Sequence, residues 1–277
     1  MTKQELQHQK NLERIKAFRL LDDDFMTAVF DNAPTEITEV LQIILERNDL
    51  SVQSVTAQKE LKNLHGHSVR LDVYAKDSND TCYDIEIQRA DHGAGTRRAR
   101  YNLGLMDAYH LPTGTDHSKL PETYVIFITE HDVFHEGLPL YHVERVIMET
   151  NERFDDGEHI IYVNGAYSAD TPIGRLMADF RQTDPSQMYS NTLADRVRHF
   201  KQSEEGIRHM CRMMEEMRNE SWEEGRAEGR AEGREEGRTE IVLTLLEEHT
   251  PEQVSKMLKI SLSGVEAIYN SRKQQNI

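Results

Sequence analysis

The chain has 277 residues, with 33 Lys and Arg against 49 Asp and Glu, for a net charge of −16. That length allows one core of moderate size plus an appendage, and a 37% hydrophobic share supports a globular core with some exposed helix or linker. The charge excludes a surface attracted to nucleic acid as a whole, so contact with phosphate would need a local basic patch and a cation between it and the acids.

Cys82 and Cys211 lie far apart and match no ligand spacing, which points to a reduced protein without a disulfide framework. The polar start MTKQELQHQKNLERIKAF has no signal-peptide core, and no apolar run approaches the roughly 18 residues that span a bilayer. The expectation is a soluble, cytoplasmic protein with no membrane partner.

The first firm helix covers 34–47. Pro34 suits an early helical position, and Ile37, Val40, Leu41, Ile44 and Leu45 follow the spacing of one buried face. Residues 51–58 read as a strand. Residues 69–88 read as a β-hairpin: VRLDVYA alternates, KDSND turns, and TCYDIEIQ alternates again. Period two places Asp72 and Tyr74 on one face of the first strand, and Asp84, Glu86 and Gln88 on one face of the second. The loop ADHGAG leads into a helix near 95–110. TYVIFIT at 123–129 is continuous enough for a strand buried on both faces, and HIIYVN at 159–164 forms another. Thr171 and Pro172 open a short helix to about Phe180, and 191–222 are largely helical. The order predicts a mixed sheet flanked by helices.

Near residue 222 the composition changes to EEGRAEGRAEGREEGR, with Gly225, Gly229, Gly233 and Gly237 in phase. As a helix, such a repeat drifts by about 40° every four residues. The glycines then form a slowly winding stripe with arginines on one flank and glutamates on the other. Like charges at i, i+4 disfavour the lone helix, whereas a parallel partner would set Arg against Glu. Self-association and a frayed connector both remain open, since each glycine costs a helix about 1 kcal/mol. Thr250-Pro251-Glu252-Gln253 has the form of a capping box, with an apolar face at Val254, Met257 and Leu258 behind it. Ile260 and Leu262 sit in a turn, and Val265 and Ile268 mark a second short helix of a helix-turn-helix-like unit. Its helices carry few basic residues, which favours protein contact over DNA. The expected division is 1–200 core, 201–240 connector and 241–277 C-terminal unit.

The hairpin carries the chemistry. Asp72 and Glu86 offer two carboxylates, and the Ile87 carbonyl a third oxygen, for a hard divalent ion with waters completing its shell. Gln88, two residues after Glu86, shares its face and could orient a water or touch a phosphate. Alternation alone favours the plainer reading, polar residues on a solvated face of an antiparallel hairpin.

Resemblance adds to this. RLDVYAKDSNDTCYDIEIQRADHGAGTRRARYN, with LDDDFMTAVFDN, LPETYVIFITEHDVF and DDGEHIIYVNGAY in order around it, resembles the PD-(D/E)XK nuclease family transposases over roughly residues 20–222. The EGR repeat is also a habit of that group. The resemblance implies an α/β fold with a restriction-endonuclease-like core, a mixed central sheet flanked by helices, and a C-terminal helical extension. It implies a phosphodiester hydrolase that cleaves DNA with Mg²⁺ or Mn²⁺, linked to recombination or a mobile element. Asp72 matches the first acid, Glu86 the (D/E) position and Gln88 the K position. A lysine there would be cationic, whereas glutamine only donates or accepts hydrogen bonds. A further acid from the first helical region completes the expected metal shell, with Asp24 the candidate and Glu36 and Glu39 its rivals. Arg70, Arg97, Arg98, Arg100 and Tyr101 are the candidate contacts to DNA. A silent DNA-binding or oligomerising protein on the same fold is the alternative, motivated by the acidic charge and the missing lysine.

His65-x-His67 and His131-xxx-His135 gather no zinc-type ligand set, so they read as surface or loop histidines. Met210, Met213, Met214 and Met217 recur at helical spacing and read as core or interface.

Overall fold

The structure, a computed structural model, describes residues 3–63, 66–89 and 93–275. His65 and residues 90–92 of the ADHGAG loop, both singled out in the sequence, lie outside the described residues.

Residues 1–214 form one compact unit. Three helices open it: α1 (Lys3–Ala17), α2 (Asp23–Phe30) and α3 (Pro34–Leu45), the last with Pro34 in its first turn as its sequence predicts. β1 (Val52–Leu61), β2 (Val69–Asp77) and β3 (Cys82–Gln88) follow, then α4 (Thr96–His110) and β4 (Thr123–Thr129). Three short strands, β5 (Leu140–Val143), β6 (Val146–Ile147) and β7 (Glu152–Arg153), lead to β8 (Glu158–Asn164). α5 (Pro172–Arg181), α6 (Asn191–Gln202) and the start of α7 (Glu204–Leu245) complete the unit.

The main sheet has the order β1-β2-β3-β4-β8-β5. β1, β2 and β3 pair antiparallel, β3, β4 and β8 pair parallel, and β5 closes the edge antiparallel. This is the mixed sheet of an α/β fold. Parallel β3 and β4 need a crossover, which α4 supplies. Asp77 fixes the hairpin turn: its Oδ1 accepts from the amides of Asn79 and Thr81, and its Oδ2 from the Tyr83 hydroxyl.

Two apolar layers sandwich the sheet. On one face, Tyr83, Ile85, Ile126, Ile128, Ile161 and Val163 pack among the apolar faces of α1, α2, α3, α5 and α6. On the other, Val125, Phe127 and Tyr162 pack under Ala99, Leu103 and Met106 of α4. Truncating a fully buried side chain such as Ile126 to Ala should cost about 2–5 kcal/mol. Met210 and Met214 join the first layer, as their helical spacing suggests.

The layers decide how the hairpin is read. β3 lies between β2 and β4 and under α4, and every residue from Cys82 to Ile87 is buried. Its acidic face is therefore not solvated, because the parallel neighbour and the crossover helix come from later in the chain.

Residues 215–277 form a second unit. It holds the remainder of α7, which carries the EGR repeat as continuous helix, together with α8 (Pro251–Leu258) and α9 (Leu262–Gln275). The Thr250/Gln253 capping box opens α8. Val242, Val254 and Val265 are its buried centre. Leu262, expected in the turn, begins α9 instead. No helix among the described residues is long and apolar enough to cross a membrane.

Candidate functional site

Backbone pairing of β2 with β3 ends at Val73↔Ile85. One residue beyond, the Asp72 side chain replaces the ladder: its Oδ2 accepts from the Ile87 amide at 3.0 Å. Gln88 Nε2 lies 3.3 Å from the same Asp72 oxygen and 3.4 Å from Glu86 Oε2. The structure thus brings Asp72, Glu86 and Gln88 together where the β2–β3 pairing has ended. Gly93 leaves room for the Gln88 amide in this position, since a Cβ there would fall 1.9 Å from Gln88 Oε1.

α4 roofs the group. Arg98 and Asn102, one helical turn apart, both turn toward β3. Arg98 Nη2 pairs with Glu86 Oε2, and its Nη1 donates to the Gly93 carbonyl at 3.0 Å. Asn102 Nδ2 donates to Asp84 Oδ2 at 2.8 Å and reaches Glu86 Oε1 at 3.4 Å. Asp84 and Glu86 are both 0% exposed, and Asp84 Oδ1 and Asn102 Oδ1 have no hydrogen-bond partner among the described residues.

Three carboxyls thus sit under one guanidinium. Burial is the largest influence on each, pushing Asp72 up to about 6, Asp84 to about 7 and Glu86 to about 9. Like charge adds to this, from Asp23 on Asp72, from Asp72 on Asp84, and from Asp84 and Asp72 on Glu86, and the charge of Arg98 opposes it in all three. The cluster is short of positive charge.

The other candidates divide. Asp24 pairs with Arg14 at 3.1 Å. Its neighbour Asp23 is the α2 acid whose charge acts on Asp72, and Asp23 is itself raised by burial and by Asp24. Asp22, Asp23 and Asp24 line a cleft of about 430 Å³ with Arg14, Arg19 and Arg89. Glu39 lines a different cleft, with Tyr167 and Ile173. Arg70 is exposed on β2, and its charge acts on both Asp72 and Asp23. Arg97 and Arg100 are exposed on α4. The Tyr101 hydroxyl is held by the β1–β2 connection, donating to the His67 carbonyl and accepting from Asn63 Nδ2.

Sequence reasoning did not assign Asp84, Asn102, Asp23 or Gly93. Alternation already set Asp84 beside Glu86, and Asn102 follows Arg98 by one turn, so both carried a signal. Asp23 carried none that separated it from Asp24.

Among the described residues, no three His, Cys, Asp or Glu side chains gather tightly enough to hold an ion by themselves. The donors that are present fit a hard cation nonetheless. Asp72, Glu86 and the Ile87 carbonyl offer an all-oxygen set, waters complete such shells for Mg²⁺ and Mn²⁺, and Asp84 Oδ1 in the same cluster is a buried acceptor without a partner among the described residues.

No curated protein and no solved structure matches the chain. The family model for the PD-(D/E)XK nuclease family transposases matches residues 24–241, a span that takes in the sheet, α4 and the carboxyl cluster. The chain belongs to the PD-(D/E)XK nuclease family transposases.

Proposed function

We propose that this protein is a divalent-metal-dependent endonuclease that hydrolyses DNA phosphodiester bonds, in recombination or for a mobile element. The observation that carries the reading is the convergence of Asp72, Glu86 and Gln88 within hydrogen-bond reach beyond the last backbone pair of β2 and β3. Asp72 and Glu86 would hold Mg²⁺ or Mn²⁺ with the Ile87 carbonyl, and an α2 acid, Asp24 or the nearer-acting Asp23, would complete the outer shell. When bound, the ion supplies charge to offset the phosphate and lowers the pKa of a water.

The chain's own residues do the positioning. The Ile87 amide fixes the Asp72 carboxylate, and Asn102 holds Asp84 and reaches Glu86. Gln88 orients a water or a phosphate oxygen through its amide, which carries no charge. Arg70, Arg97, Arg98 and Arg100 supply the local basic surface for the strand, and Tyr101 braces the connection beside it. Cleavage of DNA and RNA substrates with Mg²⁺ or Mn²⁺, by wild type and Asp72→Ala, tests the assignment. Metal-dependent DNA cleavage lost in the variant is the expected result, and cleavage confined to RNA would replace the substrate.

A second reading has its own observation. Arg98 already pairs with Glu86, which would suit a silent DNA-binding or oligomerising protein on the same fold. Absence of metal binding by the wild type would favour it.

A further inference from the structure

Arg98 is placed differently from the exposed arginines around it. Its guanidinium spans from Glu86 Oε2 to the Gly93 carbonyl, and its side chain is 36% exposed while that of Glu86 is fully buried. It therefore lies at the mouth of the cluster with one face on the carboxylate and the other toward solvent. Among the described residues it makes the one ion pair to Asp72, Asp84 or Glu86. It also stands in the first turn of α4, next to the exposed Arg97 and one turn or less from the exposed Arg100.

We propose that Arg98 is a built-in counter-ion that holds Glu86 when no divalent ion is bound, is displaced when the ion arrives, and then turns to the phosphate of the bound strand. The inference rests on the metal-dependent reading above and adds a regulatory step to it. A buried carboxylate stays charged only beside a cation, and Arg98 is the cation that Glu86 has. A guanidinium suits that place because it keeps its charge at any working pH and pairs with carboxylate or phosphate through the same planar fork. Its second bond, to a neutral main-chain carbonyl, is of a kind that water replaces at little cost. Metal and DNA would then bind cooperatively, because the ion frees the cation that the strand requires.

The test is calorimetric titration of Mn²⁺ into the metal-stripped full chain, for wild type, Arg98→Gln, Arg98→Lys and Asp72→Asn. Removing a competitor for Glu86 should tighten Mn²⁺ binding by about tenfold in Arg98→Gln, a difference of about 1.4 kcal/mol. Arg98→Lys, which pairs through a single point, should fall between, and it decides the matter if Arg98→Gln does not fold. Duplex affinity measured with and without Ca²⁺ should rise with metal in wild type and rise less in Arg98→Gln. Unchanged or weaker Mn²⁺ binding in the arginine variants, with binding still lost in Asp72→Asn, would overturn the counter-ion role and leave the metal reading standing. No Mn²⁺ binding by wild type would overturn both.

Discussion

The Ile87 amide donates to Asp72 Oδ2 at 3.0 Å, at the point where backbone pairing between β2 and β3 has stopped. A side chain thus takes the place of a ladder bond, and the two strands that carry Asp72 and Glu86 stay joined past their last backbone pair. Asp72→Asn keeps an acceptor for that amide and removes the charge. It should retain the fold, with a melting temperature equal to or above wild type, and lose more than 100-fold in cleavage if the carboxylate holds the ion, on the order of 3 kcal/mol of transition-state stabilisation. Circular-dichroism melting and single-turnover cleavage measure the two sides.

Gly93 gives a separate handle on Gln88. A Cβ at residue 93 would collide with the Gln88 amide, whose far end is free to move away. Gly93→Ala should therefore displace Gln88 at modest cost to stability and lower kcat by about tenfold or more, with Mn²⁺ affinity nearly kept. Unchanged turnover would show that Gln88 has no part in positioning.

Asn102 donates a hydrogen bond to Asp84 Oδ2 from α4. Replacing it with Leu leaves a buried carboxyl with less satisfaction and should destabilise the protein by about 1–3 kcal/mol. Urea unfolding measures this, and double substitution with Asp84→Leu should recover much of the loss.

The carboxyl cluster also sets a pH dependence. Asp72, Asp84 and Glu86 all have folded pKa values raised above their unfolded ones. The folded state therefore binds more protons than the unfolded state from about pH 4 to about pH 9, and stability falls as pH rises through that window. Lys201, lowered to about 8 by burial, acts with the opposite sign, but only above that pH. The metal-free protein should melt higher at pH 5 than at pH 8, and Mg²⁺ should restore much of the difference at pH 8. A melting temperature that rises steadily from pH 5 to pH 8 without metal would contradict this.

How legible this was depended on distance along the chain. The hairpin was readable because alternation and the turn residues 76–80 are local, and Pro34, Thr171-Pro172 and the Thr250 capping box marked three helix starts. The burial of Asp84 and Glu86 was not, because β4 and α4 cover them and both lie later in sequence. α1 was hidden by its polar sequence, whose inward face rests on few apolar residues such as Ile15. β5, β6 and β7 were hidden by length, two of them having two residues each. The choice between Asp23 and Asp24 depends on the rotation of α2, which adjacent acids cannot report.

The EGR helix carries a prediction of its own. A Cβ at Gly225, Gly229, Gly233 or Gly237 would meet nothing within 4 Å among the described residues, so no described neighbour requires glycine there. Alanine at all four should raise helix content, at about 0.5–1 kcal/mol per site. If the glycines let a parallel partner helix approach, the same variant should lose self-association in sedimentation equilibrium. An unchanged mass would remove the case for that interface.

Nicking of supercoiled plasmid with Mg²⁺ or Mn²⁺, comparing wild type with Asp72→Ala, tests the central claim most directly. The expected result is metal-dependent nicking by wild type that chelator abolishes and the variant lacks. No nicking by wild type, or equal nicking by both proteins, would contradict a nuclease centred on Asp72, Glu86 and Gln88.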